Sequence, residues 1–214
     1  MIYLTCKKIP DGTTAVGLYE QALSAFKSCP ENTDYIKQIY NRCDKSAIES
    51  LFALCVLAEL TAHTDISPNS NQLTLARTDS GKPYFINSNW QFNISHSGEH
   101  VAVALCDGGA VGVDIETARV TAKKAQDLAK RFFTEQERHT VSTNPESFCE
   151  IWSKKEATAK HLGVPLGQLL KSDKEKQGKD KFYGDKLKTQ SIKLQNVLVT
   201  VCTNIDSSNI IVVP

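Results

Sequence analysis

Two carboxylates lie two residues apart in the apolar segment VGVDIE, which runs from Val111 to Glu116. Its β-branched, alternating apolar residues predict a strand. Successive side chains of a strand point to opposite faces, so Asp114 and Glu116 share one face. Two neighbouring carboxylates repel each other unless water or a cation lies between them. The segment therefore indicates either a solvent-facing edge strand or a site for a hard cation such as Mg²⁺.

A hydroxyl and an imidazole, those of Ser95 and His96, lie upstream of this segment. The turn chemistry of Cys106–Gly109 predicts that the strands Val101–Leu105 and Val111–Glu116 form one antiparallel hairpin. Folding this hairpin brings the two carboxylates opposite the start of its first strand. We therefore expect the hydroxyl, the imidazole and the carboxylates to meet at one end of the hairpin.

A third carboxylate lies on a helix that good helix formers predict over Ile151–His161. Trp152, Glu156 and Lys160 recur every four residues, so their side chains share one helix face. Taken alone, Glu156 and Lys160 are also an ordinary i, i+4 ion pair, worth about 0.2–0.5 kcal/mol. The helix adds a carboxylate and an ammonium to the groups available for chemistry.

The other elements must hold these side chains in place. Alternation and turn residues predict strands and helices at Ile2–Cys6 (strand), Val16–Phe26 (helix), from Ser46 (helix), Leu73–Arg77 (strand), Tyr84–Ile86 (strand), Ala122–Phe133 (helix), from Thr134 (helix), Ile192–Thr200 (strand) and Ile210–Val213 (strand). Capping-box patterns mark two of the helix starts, Ser46 with Glu49 and Thr134 with Glu137. Gly163 predicts the end of the Trp152 helix. The lysine-rich segment 171–190 reads as a loop or an irregular hairpin.

Together these segments resemble the Sfp-type 4′-phosphopantetheinyl transferases. Five motifs in the family's order carry the resemblance over about residues 80 to 165: Gly81–Pro83, Phe92–Ser97, Val111–Glu116, Arg131–Phe133 with Glu137, and Trp152–Ala157 with Lys160. The resemblance implies an α/β (α+β) fold in a single unit, 1–214. It implies two similar halves, about 1–108 and 109–214, related by a pseudo-twofold with the active site at their junction.

The resemblance also implies an activity, the Mg²⁺-dependent transfer of the 4′-phosphopantetheine arm of coenzyme A to a serine. That serine belongs to an apo carrier protein of the acyl, polyketide or peptidyl kind, and 3′,5′-ADP leaves. Asp114, Glu116 and Glu156 are the implied metal ligands. Glu156 also suits a general base, although a bound metal would lower its basicity. Lys160 is implied as the catalytic cation on the pyrophosphate.

Six side chains are implied as contacts of coenzyme A: Lys82, Ser95, His96, Asp114, Lys155 and Lys160. One departure from the family concerns the 3′-phosphate, which members grip with basic residues that include an Arg early in the first long helix. This chain has Glu49 there, and a carboxylate beside a phosphate costs affinity. Two alternatives therefore stay open, a non-catalytic module that binds coenzyme A or a carrier protein, and another Mg²⁺-dependent phosphotransferase or hydrolase.

Composition sets the outer limits. The chain has 214 residues, of which 41% are hydrophobic and 23% charged, and its formal net charge is +1. This composition indicates a globular protein. Its small net charge gives no overall electrostatic attraction to nucleic acid or to a membrane surface. Seven cysteines without a CxxC pair argue against a disulfide framework and a zinc site. We expect a cytoplasmic monomer. The lysine-rich segment is either a solvated loop or a surface that steers an acidic carrier protein.

Overall fold

The computed structural model describes most of the chain, namely residues 1–42, 45–66, 73–86, 88–117, 120–175, 187–194, 196–205 and 210–214. Runs of helices and runs of strands follow one another in these ranges in a mixed α+β architecture, as predicted. The helices are α1 (Ala15–Ala25), α2 (Asn32–Tyr40), α3 (Lys45–Thr61), α4 (Ala122–Phe132), α5 (Glu135–Thr143), α6 (Ser147–Leu162) and α7 (Leu166–Glu175). The strands are β1 (Ile2–Lys8), β2 (Leu75–Arg77), β3 (Pro83–Phe85), β4 (Trp90–Ser97), β5 (His100–Asp107), β6 (Val111–Glu116), β7 (Lys188–Leu194), β8 (Val197–Thr203) and β9 (Ile210–Val212).

The first sheet has the strand order β4-β5-β1-β9. Its neighbours are antiparallel except β9, which runs parallel to β1. Along β5, Val101, Val103 and Leu105 belong to the apolar core shared with α1–α3, whereas Ala102 and Ala104 face a second apolar cluster. Both faces of β5 are therefore buried, as its nearly continuous apolar run requires.

The second sheet has the order β6-β8-β7, and both of its strand pairs are antiparallel. Val111, Val113 and Ile115 of β6 join Ala102 and Ala104 in one buried cluster. The small alanines allow the two sheets to approach each other closely. Helix α6 covers the opposite face of β6 and β8. The carboxylates of β6 consequently lie between a sheet and a helix.

The predicted hairpin of the strands around Val101–Leu105 and Val111–Glu116 is wrong. Strand β5 pairs with β4 and β1, whereas β6 pairs with β8 in the other sheet. The glycine turn, with Gly108 at φ +70°, leads the chain from one sheet to the next instead of back along the same sheet. Turn chemistry fixes a change of direction but not the partner of the following strand.

Other differences are local. Helix α2 was not expected from the sequence. Helix α3 begins at Lys45, so Ser46 is a helical residue and not the predicted cap. The predicted strand Ile192–Thr200 is the hairpin of β7 and β8. Of the predicted loop 171–190, the first residues end α7 and the last begin β7, while residues 176–186 lie outside the described ranges.

Two predicted helix ends are confirmed. The Thr134–Glu137 capping box is present at the start of α5. Gly163 ends α6 in the left-handed conformation, at φ +68°. The described cysteines are free thiols, and burial raises the pKa of Cys6, Cys55 and Cys202 to about 11. None of the helices in the described ranges is both long and apolar enough to cross a membrane.

Candidate active site

Helix α6 lies directly on β6 because β6 has no side chain at Gly112. A Cβ built on Gly112 would overlap the carbonyl oxygen of Ala157 and the backbone of His161. This close approach sets Glu156 and Lys160, on either side of Ala157, against the carboxylate face of the strand. The glycine is therefore the feature that lets a helix and a strand share one site.

The ammonium of Lys160 joins the two elements. Its Nζ donates to Asp114 Oδ1 at 2.8 Å and to Ser95 Oγ at 2.7 Å, and it lies 3.7 Å from Glu156 Oε2. Ser95 Oγ in turn donates to the same Asp114 oxygen at 3.2 Å. Lys160, Ser95 and Asp114 thus form one hydrogen-bonded group from β4, β6 and α6, and Glu156 joins it as an ion-pair partner of Lys160.

Strand β4 reaches β6 through side chains, although the two strands belong to different sheets. Asn93 Oδ1 accepts from Val113 N at 2.9 Å, and Ser97 Oγ accepts from Thr117 N at 3.3 Å. Asn93 is buried, so its amide replaces a ladder hydrogen bond at the junction of the sheets. These two residues position the site and were not expected from the sequence. The signal available was an asparagine inside an apolar strand.

A cavity of about 310 Å³ opens over this group. Its wall includes the predicted side chains of Ser95, His96, Asp114, Glu116, Glu156 and Lys160. The structure thus brings together six of the eight predicted site residues around one space. The other two, Lys82 and Lys155, lie elsewhere.

The site has more negative than positive charge. Burial, followed by the charges of Asp114 and Glu156, raises the pKa of Glu116 to about 7, although Lys160 opposes this shift. Burial and the charge of Asp114 likewise raise the pKa of Glu156. Only 2% of the surface of Asp114 is exposed, and its Oδ2 has no hydrogen-bond partner among the residues that the structure describes. One ammonium therefore does not balance three carboxylates.

The oxygen donors match the preferences of a hard divalent cation, since an added positive charge would satisfy Asp114 Oδ2 and offset the repulsion. As the side chains stand, no group of three or more His, Cys, Asp and Glu residues in the described ranges forms a ready metal site. Instead, the Lys160 ammonium lies among the carboxylates. The oxygen ligands are of the kind that a metal ion needs, but in this structure the ammonium of Lys160 pairs with the carboxylates.

Lys82 lies behind the group and not in the cavity over it. Its Nζ donates to the backbone oxygens of Lys160 at 2.7 Å and Val111 at 3.3 Å. Burial lowers the pKa of this ammonium. Lys82 also lines a neighbouring cavity of about 380 Å³, together with Asn93 and Gly163. It fixes the end of α6 to the Gly81–Pro83 turn.

Lys155 is separated from the other predicted contacts of coenzyme A. Its side chain is 6% exposed and contacts Asp173 at 2.6 Å and Glu137 at 2.9 Å. The ammonium also lies 5.7 Å from the centre of the Phe133 ring. Lys155 therefore joins α5, α6 and α7 from the far side of the helix. The same contact explains Glu137, which caps α5 with one carboxylate oxygen and pairs with Lys155 through the other.

His96 extends from β4 at the edge of the cavity with 51% of its side chain exposed. Its Nδ1 lies 3.3 Å from Oε2 of Glu49. The acidic residue that departs from the family pattern therefore contacts a predicted site residue directly.

Comparisons with known proteins place the chain in a family. Residues 110–199 match the family model described as the 4′-phosphopantetheinyl transferase superfamily, and residues 19–107 match the model described as 4′-phosphopantetheinyl transferase, N-terminal. The first match contains β6 and α6, and the second contains α3, β4 and β5. The chain belongs to the 4′-phosphopantetheinyl transferase superfamily.

Among curated relatives, 4′-phosphopantetheinyl transferase AcpT of Escherichia coli is 33% identical over 132 residues, which are 58% of this chain and 63% of the relative. 4′-Phosphopantetheinyl transferase gsp of Aneurinibacillus migulanus is 30% identical over 153 residues, 69% of this chain and 58% of the relative. The human L-aminoadipate-semialdehyde dehydrogenase-phosphopantetheinyl transferase is 32% identical over 113 residues, 45% of this chain and 37% of the relative. The chain thus spans less than two thirds of the length of each.

Proposed function

We propose that this chain transfers the 4′-phosphopantetheine arm of coenzyme A to a serine of an apo carrier protein in a Mg²⁺-dependent reaction that releases 3′,5′-ADP. The names of its relatives support this proposal. The observation that carries it is the position of Lys160 Nζ, held by Asp114 and Ser95 beneath the cavity. A fixed ammonium in a partly buried site is suited to stabilising charge that develops on a phosphate.

In the proposed reaction the serine oxygen bonds to the β-phosphorus, the bond to the 3′,5′-ADP oxygen breaks, and the serine proton moves to a base. Glu156 is the candidate base because its carboxylate lines the cavity. Its pKa is raised in the metal-free site, which favours this role, whereas a bound metal would lower its basicity. Trp152 Nε1 donates a hydrogen bond to Glu156 Oε1 at 2.9 Å, which fixes this carboxylate on the cavity side of α6. Lys160 stabilises the phosphate charge, and Ser95 and His96 offer hydrogen bonds to phosphate oxygens.

Asp114, Glu116 and Glu156 are the residues that would hold Mg²⁺. Bound there, Mg²⁺ would neutralise pyrophosphate charge and favour the ionised form of all three carboxylates. Lys82 is retained in this proposal as a contact of the nucleotide part from the neighbouring cavity. Lys155 would act on coenzyme A only through the position of α6.

The pairing of Glu49 with His96 favours the second candidate, a module that binds coenzyme A or a carrier protein without turnover. A carboxylate beside a histidine of the cavity wall reduces the positive charge available to a phosphate. The two functions differ in one observable, the appearance of a modified carrier serine.

Intact-mass measurement of an apo carrier protein after incubation with the chain, coenzyme A and Mg²⁺ tests both functions. Transfer adds the mass of the arm to the carrier and needs Mg²⁺. Lys154→Ala is the matched control for Lys160→Ala, because Lys154 lies on the same helix and pairs only at the surface with Glu150. Binding of coenzyme A without any modified carrier would support the module instead.

A further inference from the structure

The carboxylate of Glu49 has no role in the reaction described so far, yet it is buried beside His96, a residue of the cavity wall. Glu49 belongs to α3 and is 8% exposed. One of its oxygens lies 3.3 Å from His96 Nδ1 and the other 3.5 Å from the Nζ of Lys45. The Lys45 side chain is 74% exposed, so solvent weakens that pair. The contact with His96 is the better protected of the two.

This contact restricts the histidine. A carboxylate only accepts hydrogen bonds, so the 3.3 Å contact with Glu49 favours the ring form that carries its proton on Nδ1. Nε2 is then the ring nitrogen left for a molecule in the cavity, whose wall includes His96. The group that contacts one ring nitrogen thus sets which hydrogen bonds the other ring nitrogen can form.

We propose that Glu49 is a positioning residue that fixes the ring of His96 and its Nδ1–H form, so that Nε2 contacts a phosphate oxygen of coenzyme A. This inference rests on the proposed function. With Glu49 beside Nδ1 and the phosphate oxygen at Nε2, the ring lies between two anions. Glu49 is then a partner of the histidine and not a competitor of the phosphate.

A purely structural tie between α3 and β4 is the rival explanation, and a double-mutant cycle separates the two. Loss of one hydrogen bond to a charged group costs about tenfold in affinity. Glu49→Ala should therefore raise the KM and the Kd for coenzyme A about tenfold and leave kcat nearly unchanged. In the His96→Ala background the same change should have no further effect. Glu49→Gln, which keeps an acceptor for Nδ1–H, should recover part of the affinity.

Glu59→Ala is the matched control. Glu59 lies on the same helix, and its carboxylate pairs with the ammonium of Lys7 at a distance of 2.6 Å, outside the cavity. It should leave coenzyme A affinity unchanged. Nitrogen-15 NMR of His96 should show the proton of the neutral ring on Nδ1 in the parent and its loss from Nδ1 in Glu49→Ala.

Calorimetric coenzyme A binding and the NMR signature do not need turnover, so they test this inference even if the parent fails to transfer the arm. The proposal would be overturned if Glu49→Ala lowered the affinity for coenzyme A equally in the parent and in the His96→Ala background. Unchanged affinity in Glu49→Ala would also overturn it, as would a parent His96 with its proton on Nε2. If Glu49→Ala does not fold, Glu49→Gln with and without His96 gives the same comparison.

Discussion

At the scale of single residues, Lys160 is the group on which the candidate site depends. It is partly buried, and its ammonium is held by Asp114 and Ser95 before any ligand arrives. Such preorganisation favours a charge that develops during reaction over one already present in the substrate.

Lys160→Ala is therefore expected to lower kcat by at least about 100-fold, as for loss of one oxyanion-stabilising group, while the KM for coenzyme A changes much less. Steady-state kinetics of carrier modification measure both constants. Lys154→Ala should keep both near the parent values. A rise in KM with kcat unchanged would make Lys160 a ground-state binding residue.

Asp114 pairs with Lys160 and is also a ligand of the proposed metal. Its Oδ1 accepts from Lys160 and Ser95, whereas its buried Oδ2 has no hydrogen-bond partner in the described part of the chain. Asp114→Asn keeps the shape of the side chain but removes a charge, so we expect loss of Mg²⁺-dependent transfer. Titration of activity with Mg²⁺ measures this. Near-normal Mg²⁺-dependent transfer in the variant would contradict the metal assignment.

At the scale of elements, the contact between α6 and β6 decides whether the site exists. Gly112→Ala is expected to destabilise the protein by about 1–3 kcal/mol or more, because the added Cβ meets helix backbone that cannot move aside. Urea unfolding measures the loss. Gly167→Ala, at a helical glycine with nothing within 4 Å of the added carbon, is the control and should not destabilise. Equal stability of the two variants would mean that α6 does not lie so close to β6.

The second contact at this scale is the buried ion-pair group of Lys155, Asp173 and Glu137. Lys155→Ala leaves Asp173, which is 6% exposed, without its cation, and breaking such a pair costs about 3–5 kcal/mol. We expect a corresponding fall in the free energy of unfolding, with coenzyme A affinity little changed in the protein that remains folded. Lys154→Ala should cost less than about 1 kcal/mol. A large loss of affinity without a loss of stability would instead support Lys155 as a direct contact.

At the scale of the whole molecule, stability of the metal-free protein should depend on pH through Glu116. Its folded pKa of about 7 lies above the ordinary 4.5, so the folded state holds this proton more firmly than the unfolded chain. Its contribution to stability is therefore fully present below pH 4.5 and is lost as pH rises through 7. Glu116→Gln stays neutral throughout. The variant and the parent should be similarly stable at the acid end, and the variant more stable above pH 7.

Urea unfolding in the presence of a chelator tests this at both ends of the range. Adding Mg²⁺ above pH 7 should stabilise the parent more than Glu116→Gln, because the proposed metal binds the ionised carboxylates. A stability difference that does not change with pH would show that Glu116 is not held in its neutral form.

Much of the site followed from the sequence because it depends on local geometry. Alternation put Asp114 and Glu116 on one face of β6, and a four-residue spacing put Glu156 and Lys160 on one face of α6. The cap of α5 and the glycine end of α6 follow from neighbouring residues in the same way. The pseudo-twofold, the two halves, the monomer and the cytoplasmic location stay predictions.

The tertiary structure decided what residues distant in the chain do to one another. The partner of β6 is β8 because packing of two sheets, and not the glycine turn, selects strand neighbours. Lys155 pairs with two acids because α5 and α7 bring Glu137 and Asp173 to it. Glu49 meets His96 only because α3 packs on the first sheet. Periodicity within one element carries no information about such contacts, so the sequence determined which faces bear the chemistry, and packing determined which faces meet.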